Sequence, residues 1–270
     1  MNIVFIGGGN MAAAIIGGLV GQGRPPSMLQ AVDVLPEARS RLAQQFGIRT
    51  SSDPAAAASS ADCIVLAVKP QQMREVAAAL APTLKKQLVI SIAAGIRGND
   101  LARWLGGHAA IVRAMPNTPA LVAAGITGLH ALPGVSDRQR SDAEAVLSAV
   151  GSTFWVNEES ALDAVTAVSG SGPAYVFYFI EALEQAAREL GLPADIARQS
   201  ALQTFAGAVK LAVAGDADPA TLRARVTSKG GTTERAIGAL DEAQVKAAFV
   251  RAVRAAAERS AELGDTLGKD

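Results

Sequence analysis

Ile3-Val-Phe-Ile-Gly-Gly-Gly-Asn-Met-Ala12 decides how the rest of the chain is read. Four apolar residues run into three glycines, and an alanine-rich stretch of helical length, Met11–Val20, follows. The order is strand, glycine turn, helix. Inside it lies Gly7-x-Gly9-x-x-Ala12. The first glycine permits a tight turn, the second lets a diphosphate approach the backbone, and the small Ala12 allows close helix–strand packing. The N-terminus of the helix faces the negative charge. A plain structural turn can look the same, but the strand before it and the helix after it favour dinucleotide binding.

Further along, short β-branched runs recur at Ala31–Val34, Cys63–Val68, Leu88–Ile92 and Ile111–Ala114. Stretches of helical composition separate them at Glu37–Gln45, Gln72–Leu80 and Asp100–Leu105. Continuous apolar strands alternating with helices predict an α/β, doubly wound (Rossmann-type) parallel sheet with both faces covered. Ser141-Asp-Ala-Glu144 has the spacing of a capping box, and Phe154–Val156 reads as a last strand. Beyond about Asn157 the pattern is helical: Pro173–Leu190, Ala194–Ala214, Pro219–Val226, Thr233–Leu240 and Glu242–Leu263. The expected division is a dinucleotide-binding domain over 1–157 and an all-α domain over 158–270. Tyr175-Val-Phe-Tyr-Phe-Ile180 is apolar nearly all round a helix, so it needs cover on most faces. In so small a domain, a partner subunit is a source of that cover.

Composition narrows the classes. The length of 270 residues suits about two domains. Half of the residues are apolar and 19% are charged, which excludes wholesale disorder. Twenty-five basic residues balance 25 acidic ones, against a general nucleic-acid binder, and aromatics at 4% are too few for base stacking. A single cysteine, Cys63, excludes an intrachain disulfide framework and suits a reducing compartment. No apolar run approaches the roughly 18 residues of a spanning helix, and the start lacks export features. A cytoplasmic protein without a membrane segment is expected.

Asp33 ends the second strand 24 residues after Gly9. An acid there accepts from ribose hydroxyls and repels the extra phosphate of NADP; the alternative is a carboxylate that caps the turn before Pro36. Arg39 and Arg41 follow, either within reach of an adenosine phosphate or as solvated helix residues. Thr227-Ser-Lys-Gly-Gly-Thr-Thr-Glu234 places two glycines before a helix, exposing N–H groups that form a nest for a carboxylate or phosphate. It also reads as an ordinary helix–helix turn. Ser169-Gly-Ser-Gly-Pro173 is a small-residue turn opening the long aromatic helix, and Arg113-Ala-Met-Pro-Asn-Thr-Pro119 carries a strand end into a stiff loop. His108 and His130 read as structural or surface residues in or near loops, and Cys63 as a core thiol. No His, Cys, Asp and Glu cluster has metal-ligand spacing, and Ser171 lacks the setting of a hydrolase serine. With no strong base or nucleophile, the pattern favours chemistry carried by a cofactor.

Taken in order, Gly7–Met11, Ala67-Val-Lys-Pro70, Ser91-Ile-Ala-Ala-Gly95, Arg113–Pro119, Asp163-Ala-Val-Thr166, Ser169–Tyr175 and Thr227–Thr233 resemble the pyrroline-5-carboxylate reductase family. The resemblance spans essentially the whole chain; one block is weak, seven in order are specific. It implies hydride transfer from NADPH or NADH to the cyclic imine 1-pyrroline-5-carboxylate, giving L-proline. It also implies a helical domain that interlocks into a homodimer, with five dimers forming a decamer. Position by position, it assigns Gly7, Gly9, Asn10, Met11 and Ala12 to the cofactor phosphates. Ala67, Val68, Lys69, Pro70, Ala93 and Ala94 would line the ribose and nicotinamide side. Gly230, Gly231, Thr232 and Thr233 would hold the substrate carboxylate, with the Thr233 hydroxyl on the ring nitrogen and Glu159 an acid near the proline site. Many relatives carry serine or threonine and a basic residue after the second strand to hold the NADP phosphate, so Asp33 puts that preference in question. Lys229 stands where many carry proline. Alternatives are a reductase of another cyclic imine, a hydroxyacid dehydrogenase using Lys210 or Lys246, and a non-enzymatic NAD(P)-binding redox sensor.

Overall fold

The computed structural model describes residues 1–269. The chain runs β1 (Ile3–Ile6), α1 (Asn10–Gly21), β2 (Leu29–Val32), α2 (Pro36–Phe46), β3 (Arg49–Ser51), α3 (Pro54–Ser59), β4 (Cys63–Leu66), α4 (Pro70–Leu80), β5 (Leu88–Ser91) and α5 (Gly98–Trp104). It continues through β6 (Ile111–Met115), β7 (Gly125–Ala131), α6 (Asp137–Leu147), β8 (Gly151–Trp155) and α7 (Ala161–Val165). Five helices follow: α8 (Gly172–Glu189), α9 (Ala194–Ala214), α10 (Pro219–Arg225), α11 (Thr232–Glu242) and α12 (Val245–Leu267).

The strands form one sheet in the order β3-β2-β1-β4-β5-β6-β7-β8. Ile3 pairs with Leu29 on one side and Cys63 on the other, both in parallel register. The order reverses between β1 and β4, and that crevice at the carboxyl ends of the strands is where an open α/β sheet takes a ligand. Alternation along β1 divides the core. Ile3 and Phe5 pack with Ile15, Ile16 and Leu19 of α1 and Val146 and Leu147 of α6; Val4 and Ile6 pack with Met73 and Leu80 of α4 and Leu101 of α5. Each such fully buried side chain contributes roughly 1.5–3 kcal/mol.

Contacts divide the chain into two compact units: Met1–Ser171 together with the chain from Ala256 onward, and Gly172–Ala255. The residue-157 boundary expected from sequence marks the end of the sheet, whereas the units part at Ser171–Gly172. In the second unit α8 packs on α9, and Phe249 of α12 meets Tyr175 edge-on with centroids 5.6 Å apart. The aromatic stretch is not covered within one chain: Phe177 is 65% and Tyr178 68% exposed.

The sheet is mixed rather than purely parallel, because β7 runs antiparallel to β6 and parallel to β8. Strand β7 carries Gly125, Gly128 and His130, so it lacks a continuous apolar run; His130 lies in this strand, not in a loop. The short polar β3 and helices α3 and α7 have no counterpart among the expected elements. The capping box is at Ser136 and Gln139, one turn before the expected one; Ser141 lies mid-helix, its hydroxyl donating to the Asp137 carbonyl. The last strand starts earlier than expected, at Gly151, and α11 extends to Glu242. Gln244 at φ 53° ends that run, and α12 starts at Val245. Among the described residues, no helix is long and apolar enough to cross a membrane.

Candidate active site

Gly7 adopts φ 103°, and a Cβ there would lie 2.6 Å from the Ala67 carbonyl oxygen. Only glycine lets the turn lie against the end of β4. The Gly7 N–H donates to Val32 and the Ala67 N–H to Ile6, each at 2.8 Å, tying β1, β2 and β4 together at the crevice. Gly9 is the N-cap of α1; no side chain caps the helix and no acid sits in its first turn. Nothing lies within 4 Å of where a Gly9 Cβ would be, and both Gly9 and Asn10 are exposed. Uncapped N–H groups facing open space at the positive end of a helix suit an anion, so the turn fits a dinucleotide diphosphate. Ala12 is fully buried where α1 meets the sheet.

Ala67 and Val68 are half-buried where β4 ends, and Lys69 precedes α4, whose first residue is Pro70. That helix start also lacks a side-chain cap. Ala93 is buried and Ala94 half-buried after β5. Gly95 (φ 72°) turns the chain there, where a Cβ would sit 3.1 Å from Leu263 and from Leu267 of α12. The Asp33 carboxylate accepts from the Gly8 N–H at 2.7 Å and the Leu35 N–H at 2.8 Å. Arg41 donates to the Gly8 carbonyl at 2.7 Å.

The Arg113–Pro119 loop meets Ser169, where the turn before α8 begins. Asn117, buried, donates from Nδ2 to the Ser169 carbonyl at 3.1 Å and accepts at Oδ1 from the Ile126 N–H at 3.0 Å. Residues Thr166–Gly170 form a π-helical turn, with the Ser171 N–H reaching back to the Thr166 carbonyl at 2.8 Å. Single π turns of this kind are frequent at functional sites.

Glu159 accepts from Arg113 at 2.7 Å and from the Gly98 N–H at 2.5 Å, so in this chain its carboxylate ties three segments of the first unit together. A cavity of about 200 Å³ lies beside it, lined by Arg97, Arg113, Glu159, Ser160 and Asp163. Arg97 pairs with Asp265 at 2.6 Å, and Asp163 accepts from Ser260 at 2.6 Å. The Arg113–Glu159 pair was not expected. An arginine inside the otherwise apolar run of β6 is the signal, because a charge that close to a core requires a partner.

Gly230–Thr233 lies in the second unit. Gly230 has φ 73° and Gly231 is the N-cap of α11, with no side-chain cap. The Gly231 N–H donates to the Ser228 carbonyl at 3.0 Å, and Glu234 reaches back to accept from the Gly230 N–H at 2.6 Å, a tie also unforeseen. Thr232 is exposed and Thr233 half-buried. Burial, and secondarily the Asp142 charge, push the Cys63 thiol far above its ordinary value, so it stays a protonated core residue. Among the described residues, no group of three or more His, Cys, Asp or Glu is placed to hold a metal.

Known proteins match these parts in turn. Residues 2–95 match the family described as NADP oxidoreductase, coenzyme F420-dependent, and residues 159–263 the family described as pyrroline-5-carboxylate reductase dimerisation. A pyrroline-5-carboxylate reductase of Pseudomonas aeruginosa is 48% identical over 268 residues, 99% of this chain and 98% of its own. The structure of a pyrroline-5-carboxylate reductase from Coxiella burnetii superposes with a TM-score of 0.91 at 42% identity, covering 97% of this chain and 98% of that one. A pyrroline carboxylate reductase from Plasmodium falciparum, solved with NADP bound, gives 0.88 at 29% identity over 98% of both. With its glycine turn, its helical second unit and relatives alike from end to end, the chain belongs to the pyrroline-5-carboxylate reductase family.

Proposed function

We infer that this chain reduces the C=N bond of 1-pyrroline-5-carboxylate to L-proline, the last step of proline biosynthesis, with NADPH or NADH. The observation that carries the reading is the uncapped start of α1 at Gly9, open in front and set at the switch point of the sheet. Bound at this turn, a reduced nicotinamide would supply the hydride for the imine carbon, the ring nitrogen becoming the proline amine.

The residues bind and orient. Gly7, Gly9, Asn10 and Met11 hold the diphosphate, while Ala12, fully buried, serves the close packing of α1 on the sheet rather than the phosphates; Ala67–Pro70 with Ala93 and Ala94 line the ribose and nicotinamide side. The first-turn N–H groups of α11, with Gly230 and Gly231, take the substrate carboxylate, and the Thr233 hydroxyl contacts the ring nitrogen. Glu159 is the acid that the family resemblance puts near the proline site, and in the first unit it accepts from Arg113. A protonated imine already accepts hydride readily, so holding the reactants in register is the main task; orientation of this kind lowers a barrier by up to roughly 7–11 kcal/mol. The final proton comes from solvent.

The protein works as a homodimer with a small-molecule substrate, in agreement with the family match at 159–263. The exposed apolar residues of α8 support the same pairing, and five dimers assembling into a decamer would extend it. The lone buried thiol fits the reducing cytoplasm.

The test is the initial rate of cofactor oxidation with pyrroline-5-carboxylate and each cofactor. Turnover with either supports the reading. No turnover from folded, cofactor-binding protein overturns it, in favour of another cyclic imine or a redox sensor. Thr233→Ala is expected to lower kcat/KM by about 10-fold or more, as loss of a hydrogen bond to a reacting, partly charged group does; an unchanged value removes Thr233 from the nitrogen.

A further inference from the structure

The last turns of α12 lie on the segment that leaves β5, and both belong to the first unit. Gly95 turns that segment at φ 72°, and its missing Cβ would point at Leu263 Cβ and Leu267 Cδ1, each 3.1 Å away. The two leucines therefore rest directly on the backbone of the turn. Leu267 also packs against the core that holds Ile96 and Leu101. Ser260, Gly264 and Gly268 stand four residues apart, so they share one small-sided face. Arg97 lies across Gly264, where a Cβ would be 3.0 Å from its Nε, and a Cβ at Gly268 would fall on the Asp100 carboxylate. Polar ties close the seam: Arg97 pairs with Asp265 at 2.6 Å, Arg103 donates to the Gly268 carbonyl at 2.8 Å, and Ser260 donates to Asp163 at 2.6 Å. Glu159 holds the Gly98 N–H at 2.5 Å. The Ala93 N–H, by contrast, has only a long bond of 3.4 Å to the Ser91 hydroxyl.

We propose that the last turns of α12 are a strap that sets the position of the turn at residues 93–95, with Leu263 and Leu267 as positioning residues for the nicotinamide side. This rests on the reductase reading, in which Ala93 and Ala94 line that side. Alanine has no side-chain torsion with which to adjust a contact, so the height of the backbone is the whole of the control. That height is fixed from behind, by the leucines under Gly95 and the ion pair beside it. Hydride transfer is steep in distance, and a misplacement of about 1 Å can cost about 100-fold in rate. The diphosphate turn is anchored elsewhere, by the Gly7 bond to β2 and the Ala67 bond to β1. Loosening the strap therefore separates rate from dinucleotide affinity.

The test uses the full chain carrying Leu263→Ala and Leu267→Ala together. Its kcat for pyrroline-5-carboxylate is expected to fall by about 10-fold or more, while the dissociation constant of ADP-ribose, which lacks the nicotinamide, stays within about 2-fold. In protein without cofactor, amide hydrogen exchange over residues 92–98 should quicken by about 10-fold or more, with exchange in β1 and β4 unchanged. Leu263→Met with Leu267→Met, which keeps the volume, should recover most of both losses. Wild-type kcat in the double alanine variant overturns the proposal, as does unchanged exchange over residues 92–98. A fall in kcat matched by an equal fall in ADP-ribose affinity overturns it too, because that is the pattern of general destabilisation. Should the double variant not fold, Asp265→Ala removes only an exposed ion pair and carries the same test, with about a 3-fold fall in kcat expected and no change overturning the proposal. Absence of turnover in wild type overturns the reductase reading alone, since the exchange measurement needs neither substrate nor cofactor.

Discussion

Asn117 joins pieces of chain that lie 52 positions apart, linking the loop after β6 to the carbonyl of Ser169 in the π turn. Both ends of its amide are used, so Asn117→Ala leaves a carbonyl and an N–H without partners and should cost about 1–3 kcal/mol in urea unfolding. Asn117→Asp keeps the acceptor for Ile126 and turns an anionic oxygen toward the Ser169 carbonyl. Burial raises the pKa of such a carboxyl above its unfolded value, so this variant should recover stability as the pH falls and its acid form can donate. A pH-independent loss would place the Asn117 effect in packing alone. Asp33, Arg41 and Glu234 share this character: each has a recognisable residue type, and its task is set by what the fold brings against it.

The glycine turn before α1 shows how an element can be strict at one position and permissive two residues later. Gly7→Ala places a Cβ on the Ala67 carbonyl at a left-handed φ and should destabilise the chain by a few kcal/mol, about 1–3 for the backbone strain alone. Gly9→Ala meets nothing within 4 Å and has φ −70°, so unfolding should change by less than about 1 kcal/mol while dinucleotide affinity falls, because the new methyl occupies the approach to the N–H groups. A thermal scan with and without NADP separates the two. Elements of this kind were legible in the sequence because strand, glycines and helix lie side by side. Strand β7 was not, since its pairing with β6 compensates for a weak local pattern. The break between the last two helices was legible near residue 241, but its place at Gln244 was not, because a left-handed residue there is neither glycine nor asparagine. At the site, the glycine loops could be read locally, whereas the tie between Arg113 and Glu159 spans 46 positions and exists only in three dimensions.

At the scale of the whole molecule, the apolar face of α8 is the outstanding debt of the single chain. Val176, Phe177 and Tyr178 remain largely open to solvent, as does Leu190 beyond the helix. A second copy would cover it, in line with the dimerisation family matched over residues 159–263. Phe177→Glu should weaken self-association by about 2 kcal/mol or more, roughly 30-fold in the dissociation constant, which light scattering over a dilution series would read as loss of mass. An unchanged mass would put the interface elsewhere. Helix α12 carries a different consequence, because the units divide within it and its final turns, with Leu263 and Leu267, lie against Gly95 in the first unit. During synthesis the sheet leaves the ribosome early, yet a nascent chain made only as far as residue 255 lacks the segment that closes over the turn after β5. Translation therefore delivers the sheet well before the segment from Ala256 onward that completes its unit, so a chain stopped near residue 255 would leave the sheet-bearing unit unfinished.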